Sequence, residues 1–93
     1  MADEFTADEI AKKYNGMLDC VTMIENLAVK KLWEDSDPLV ANANGAGWSD
    51  EFRKKIVGNN VDHLEMMVKQ SYWTTEDMTS VNKAVTDGKA FIK

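Results

Sequence analysis

The spacing of apolar positions announces a helix within the first ten residues. Thr6-Ala7-Asp8-Glu9 has the form of a capping box, in which the Thr hydroxyl accepts from the N3 amide and Glu9 reaches back to the N-cap amide. Phe5 and Ile10 hold the two positions of a hydrophobic staple, and Asp8 and Glu9 set negative charge against the positive end of the helix dipole. Apolar residues then step 4-3-4-3-4 through Ile10, Tyr14, Met17, Val21, Ile24 and Ala28, a heptad seam sustained for about three heptads. Leu18, Leu27 and Leu32 widen the stripe, so the helix is expected to pack on more than one neighbour. Gly16 costs about 1 kcal/mol inside it, and Asn15-Gly16 is its weakest point. The pattern predicts one helix over 6–34.

Pro38 lacks an amide and disfavours helix at Asp37, so Asp35-Ser36-Asp37-Pro38 is expected to stop that helix. The small, uncharged, glycine-punctuated stretch 39–47 reads as a loop, giving a connection over 35–48. Ser49 is the expected N-cap of a second helix over 49–71, with Asp50 and Glu51 in its first turn. Its stripe runs through Phe52, Ile56, Val57, Val61, Leu64, Met67 and Val68, and slips in phase at Gly58-Asn59-Asn60, where a kink or short break is predicted. Thr74 stands as the next N-cap, with Trp73 and Met78 at staple positions. The third helix is predicted over 75–87, interrupted at Asp87-Gly88, and residues 88–93 with Ala90-Phe91-Ile92 form a docking tail. Nothing alternates with period two for long, and no internal repeat or low-complexity tract is visible along the chain. The expected fold is all-α: a single domain over 1–93, with a long N-terminal helix packed antiparallel on a second and a short third beside them.

Composition narrows the functional classes. A chain of 93 residues, 44% hydrophobic and 29% charged, is too apolar for a disordered segment and short of core for an isolated domain. Sixteen acidic against eleven basic residues give a net charge of -5, which argues against a nucleic-acid backbone as the main partner. The charge is lopsided: residues 1–50 carry ten acids and four bases, a net of -6, whereas residues 51–93 carry six and seven, a net of +1. That arrangement permits head-to-tail attraction between copies. One Cys and one His exclude a disulfide framework and a Cys/His zinc site. No apolar run approaches the roughly 18–20 residues of a membrane span, and the acidic start, Met1-Ala2-Asp3-Glu4, is unlike a secretory signal. A reducing cytoplasm is the expected setting, with Cys20 free.

Each candidate for chemistry has a plainer structural reading. Asn42, Asn44, Gly45 and Glu51 occupy positions 3, 5, 6 and 12 of a twelve-residue calcium loop, but Val40 stands where the first Asp ligand belongs. His63 lies between Asp62 and Glu65 without a second His at i+4, and reads as a surface or interface side chain. Cys20 follows Asp19, the wrong neighbour for a reactive thiolate. Asp35 and Asp37 fall in a polar turn, where solvated carboxylates are ordinary. Arg53-Lys54-Lys55, the one basic cluster, reads as a solvated helix face. No phosphate loop or nucleophile motif is present, so neither an enzyme nor a bound cofactor is expected. Trp33, Trp48 and Trp73 sit at helix boundaries, and six Met are many for this length. A helix of about 29 residues cannot bury its own stripe, which points to a partner. The expected contact residues are Ile10, Tyr14, Met17, Val21, Ile24 and Trp73.

The segment Asn59-Asn60-Val61-Asp62-His63-Leu64-Glu65-Met66-Met67, followed by Tyr72-Trp73-Thr74-Thr75-Glu76-Asp77-Met78-Thr79-Ser80-Val81-Asn82 and Gly88-Lys89-Ala90-Phe91, resembles small uncharacterised proteins of tailed bacteriophages, marine ones among them. The resemblance covers about residues 56–92 and carries no catalytic motif. It implies a viral accessory or virion protein acting through helix packing, in the virion or the host cytoplasm. With the unburied stripe, the expected partner is a second copy in a homo-oligomer or other phage structural proteins, with a host protein as the alternative. The contrasting expectation is a phage accessory protein that binds and inhibits a host protein, its acidic surface mimicking nucleic acid.

Overall fold

The computed structural model describes residues 5–34, 37–73 and 75–93. Among them the chain is all-helical, with helix α1 (Ala7–Ile24), α2 (Pro38–Ala43), α3 (Asp50–Val68) and α4 (Thr79–Phe91). A π-helical turn (Glu25–Val29) extends α1, and a short 3₁₀ turn (Leu32–Glu34) precedes α2. Tyr14 meets the start of α4 and Ile24 meets Gly88, so α1 and α4 run the same way. Glu65 pairs with Lys89 while Gly58 faces Ile92, so α3 runs against α4 and hence against α1. The three long helices share one core of Met17, Val21, Ile24, Leu27, Val57, Val61, Leu64, Met67, Val81 and Ala84.

The local start signals form as their residue types dictate. Thr6 Oγ1 accepts from the Glu9 amide at 3.2 Å, and Glu9 Oε1 accepts from the Thr6 amide at 3.2 Å, completing the capping box. Ser49 Oγ accepts from the Phe52 amide at 3.1 Å and starts α3.

Four expectations need correction. The first helix does not reach residue 34. After Ile24 it loosens into the π turn, closed by Lys30 N–H to Glu25 C=O at 2.7 Å, and reverses at Lys31, whose φ is 47°. Periodicity overran because Leu27 and Leu32 stay apolar, whereas the Trp33 indole N–H takes the Leu27 carbonyl at 3.0 Å and ends the helix there. Pro38, expected as a stop, is the first residue of α2, where a missing amide removes no intrahelical bond. Asp37 caps that helix by accepting from the Leu39 amide at 3.0 Å, so half of the expected loop is helical. No break appears at Gly58-Asn59-Asn60: α3 is continuous, held by the burial of Val57, Val61 and Leu64, with Asn60 Nδ2 donating to Ile56 C=O. The last helix begins later and runs further than 75–87, passing through Gly88 into the expected docking tail. The proposed Thr74 cap lies outside the described residues, as does Asp35.

A repeat also emerges that the letters hide. The buried positions of α1 and its π turn recur forty residues on in α3: 17 to 57, 21 to 61, 24 to 64 and 27 to 67. The closing devices recur at the same offset. Trp33 N–H bonds the Leu27 carbonyl as Trp73 N–H bonds the Met67 carbonyl, and Asp37 receives the Leu39 amide as Asp77 receives the Thr79 amide. Between 21–42 and 61–82 only Val21/Val61, Glu25/Glu65, Trp33/Trp73, Asp37/Asp77 and Asn42/Asn82 are identical, so the repeat lives in positions rather than in residue identities.

Candidate functional site

The expected contact residues separate into two groups. Met17, Val21 and Ile24 are 0%, 5% and 0% exposed and belong to the chain's own core. The seam that looked unable to bury itself is covered by α3 and α4, so these three residues are withdrawn from any partner surface. Ile10, Tyr14 and Trp73 are half-buried at the end of the bundle where α1 begins. There the Tyr14 hydroxyl donates to the Asp77 carbonyl, its ring lies 6.2 Å from Trp73, and Trp73 stacks edge-on against Tyr72 at 4.7 Å. Phe5 meets Tyr72 edge-on at 5.1 Å rather than simply stapling its own helix, and the Lys13 ammonium lies 4.6 Å from the Phe5 ring centre. This aromatic corner ties the N-terminus to the α3–α4 connection.

The turn leading from Asp77 into α4 is expected to respond to acid. Hydrogen bonds from Thr79, first from its side chain and then from its backbone amide, hold the Asp77 carboxyl below the ordinary aspartate value of 3.8. A depressed pKa contributes stability above the unfolded value and loses it as the pH falls through the folded one. The protection of the α4 amides, measured as exchange relative to the intrinsic rate at each pH, is therefore expected to fall below about pH 4. Asp77→Asn should remove that acid-dependent step, and an unchanged step in that variant would show another group to be responsible.

Arg53 is the residue that sequence reasoning misplaced most. It is buried, only 6% exposed, not solvated. Its Nε donates to the Gly45 carbonyl at 3.0 Å, one terminal nitrogen to the Ala46 carbonyl at 3.2 Å, and the other to Asp50 Oδ1 at 2.7 Å. The guanidinium lies over the Trp33 ring, 3.8 Å from its centre. One signal was available: Arg53 is the only arginine among eleven basic residues, and planar forked recognition is what Arg does and Lys does not.

The same contacts decide the calcium-like loop. Gly45 and Ala46 direct their carbonyls at Arg53, Asn44 Nδ2 donates to the Val40 carbonyl at 2.8 Å, and Asn42 and Glu51 are exposed. The loop is organised around an internal guanidinium, which takes the Ala46 carbonyl, the backbone oxygen at position 7 of the calcium pattern. Among the described residues, no three His, Cys, Asp or Glu side chains converge to hold a metal. His63 is exposed on α3. Cys20 is half-buried, and burial, then the charge of Asp19, push its thiol pKa up, opposite to what a nucleophile needs.

A groove of about 640 Å³ lies between the π turn and the end of α4, lined by Ala28, Val29, Lys31, Asp87, Ala90 and Phe91. Val29 is 48% exposed there. Among the described residues no helix is long and apolar enough to cross a membrane. No family model matches the chain, and neither the curated proteins nor the solved structures compared with it give a match.

Proposed function

We propose that the protein is a non-enzymatic helical assembly component, a small virion or assembly protein of a tailed phage, acting through surface packing. The observation that carries this reading is the apolar surface left exposed on a chain too short to bury much of it. Large apolar side chains stand on that surface, Leu39 at 82%, Met66 at 52%, Val29 at 48% and Phe52 at 41%. Scattered exposed apolar residues are normal on soluble proteins. A chain this short with an elongated bundle has the most to gain from covering them. The phage assignment rests on the resemblance over residues 56–92. Mass spectrometry of purified particles tests it: the chain is expected in mature or immature virions, and its absence from both removes the structural role.

A further inference from the structure

We infer that the groove between the π turn and α4 is the face through which two copies of this chain pair about a two-fold axis, an inference that deepens the assembly reading and rests on it. Three features of the sequence and fold converge there. A π turn is a costly departure from α geometry that is frequent at functional sites, and here it spans Glu25–Val29. Lys31, two residues on, holds φ 47°, a conformation that costs a non-glycine residue and persists where the surroundings impose it. Between them and α4 lies the groove, lined by Ala28, Val29, Ala90 and Phe91 and by two opposite charges, Lys31 from the π-turn side and Asp87 from α4.

That last property selects the occupant. An interface about a two-fold axis requires one patch to be its own complement, so that residue i meets j and j meets i. A groove with a cation supplied by one wall and an anion by the other meets this condition. A second copy turned through 180° sets its Asp87 opposite Lys31 and its Lys31 opposite Asp87, with Val29 and Phe91 against their equivalents. Lys31 makes no ion pair to a described residue. Asp87 commits Oδ2 to the exposed Lys83 at 2.6 Å, and its carboxylate keeps a second oxygen for the pairing. A foreign partner would need to bring the same charges at the same separation, whereas a second copy has them already. The patch is small, so the dimer is expected to be weak and concentration-dependent.

Sedimentation equilibrium of the full chain over roughly 1–200 µM tests this, a range suited to interfaces below standard size. The parent is expected to show a reversible monomer–dimer equilibrium. K31E and D87K should each raise its dissociation constant about 5-fold or more, and K31E/D87K in one chain should return it to within about 2-fold of the parent, because both cross-pairs are restored with reversed sign. V29E should raise it about 30-fold or more by replacing an exposed apolar side chain of the groove lining with a charge. Unchanged helical circular dichroism in each variant shows that folding is not the cause, and the charge reversal does not depend on V29E folding. A parent that stays monomeric throughout overturns the inference, as does a dimer indifferent to all three single variants. Either result leaves the assembly reading standing, since that falls only if the chain is missing from particles.

Discussion

Arg53→Ala is expected to lower the free energy of unfolding by about 3–4 kcal/mol. The reason is what remains after the side chain goes. The Ala46 carbonyl loses its donor, and an unsatisfied buried acceptor costs about 1–3 kcal/mol, while the Gly45 carbonyl loses one of its two donors and keeps the Trp48 amide at 3.0 Å. The guanidinium's stack on Trp33 disappears as well, worth about 0.5–2 kcal/mol depending on its desolvation. The ion pair with Asp50 contributes little by comparison, because the Asp50 side chain is 83% exposed and such pairs are worth roughly 0–1 kcal/mol. Asp50→Asn should therefore cost under about 1 kcal/mol. Arg53→Lys keeps the charge but cannot serve two carbonyls and a stacking face together, and should recover less than about half of the loss. Urea unfolding monitored by circular dichroism reads all three. If Arg53→Lys matched the parent, charge alone would explain the site and the forked geometry would be irrelevant. If Arg53→Ala matched it, the guanidinium contacts would contribute nothing to stability.

Gly88→Leu is expected to cost about 3 kcal/mol or more, for a steric reason rather than a conformational one. Gly88 lies inside α4 in helical conformation, where alanine would ordinarily gain about 1 kcal/mol over glycine. Any β-carbon there would stand 2.4 Å from Val61 Cγ2, 3.3 Å from Val57 Cγ1 and 3.4 Å from Ile24 Cγ2. Val57 and Val61 are 0% and 1% exposed and stiff at χ1, so neither can swing aside. For Gly88→Ala, overpacking of about 1–3 kcal/mol works against the propensity gain, and a net loss of up to about 2 kcal/mol is expected. Leucine would force α4 away from both α1 and α3. A double-mutant cycle isolates the contact: Val61→Ala should make Gly88→Ala neutral or stabilising, since the clash is gone and the propensity remains. Additive effects of the two substitutions would refute close packing at this point. The denaturant midpoint should move with the m-value constant if only stability changes.

Both residues show where sequence reasoning stops. Gly88 read as an interruption of the last helix, because a glycine in a helical run is locally a weakness. Its value lies in what it lets another helix do, and that neighbour is distant in the chain. Arg53 read as one of three basic side chains on a solvated face. Its partners, Trp33 and the carbonyls of residues 45 and 46, meet it only once the chain has reversed at Lys31 and α2 has folded. The first helix was overdrawn for the same reason. Its apolar rhythm continues past Ile24, but the rhythm does not say that a tryptophan indole will claim the Leu27 carbonyl. Among the expected contact residues, Met17, Val21 and Ile24 have the right periodicity and an internal destination, since an apolar seam fits an internal helix as well as an external one.

What the sequence determined by itself is local. The capping box at Thr6 and the cap at Ser49 follow from hydrogen bonds spanning three residues, and the apolar stripes follow from the helical period. Together they fix an all-α chain and the faces that leave water. Which stripe meets which depends on contacts between residues far apart in the chain. Tertiary structure decided that α4 would close the seam of α1, that Arg53 would fill the Asn/Gly loop, and that two units forty positions apart would share one plan. Burial is a property of the whole surface area removed from water, and no single segment carries that information.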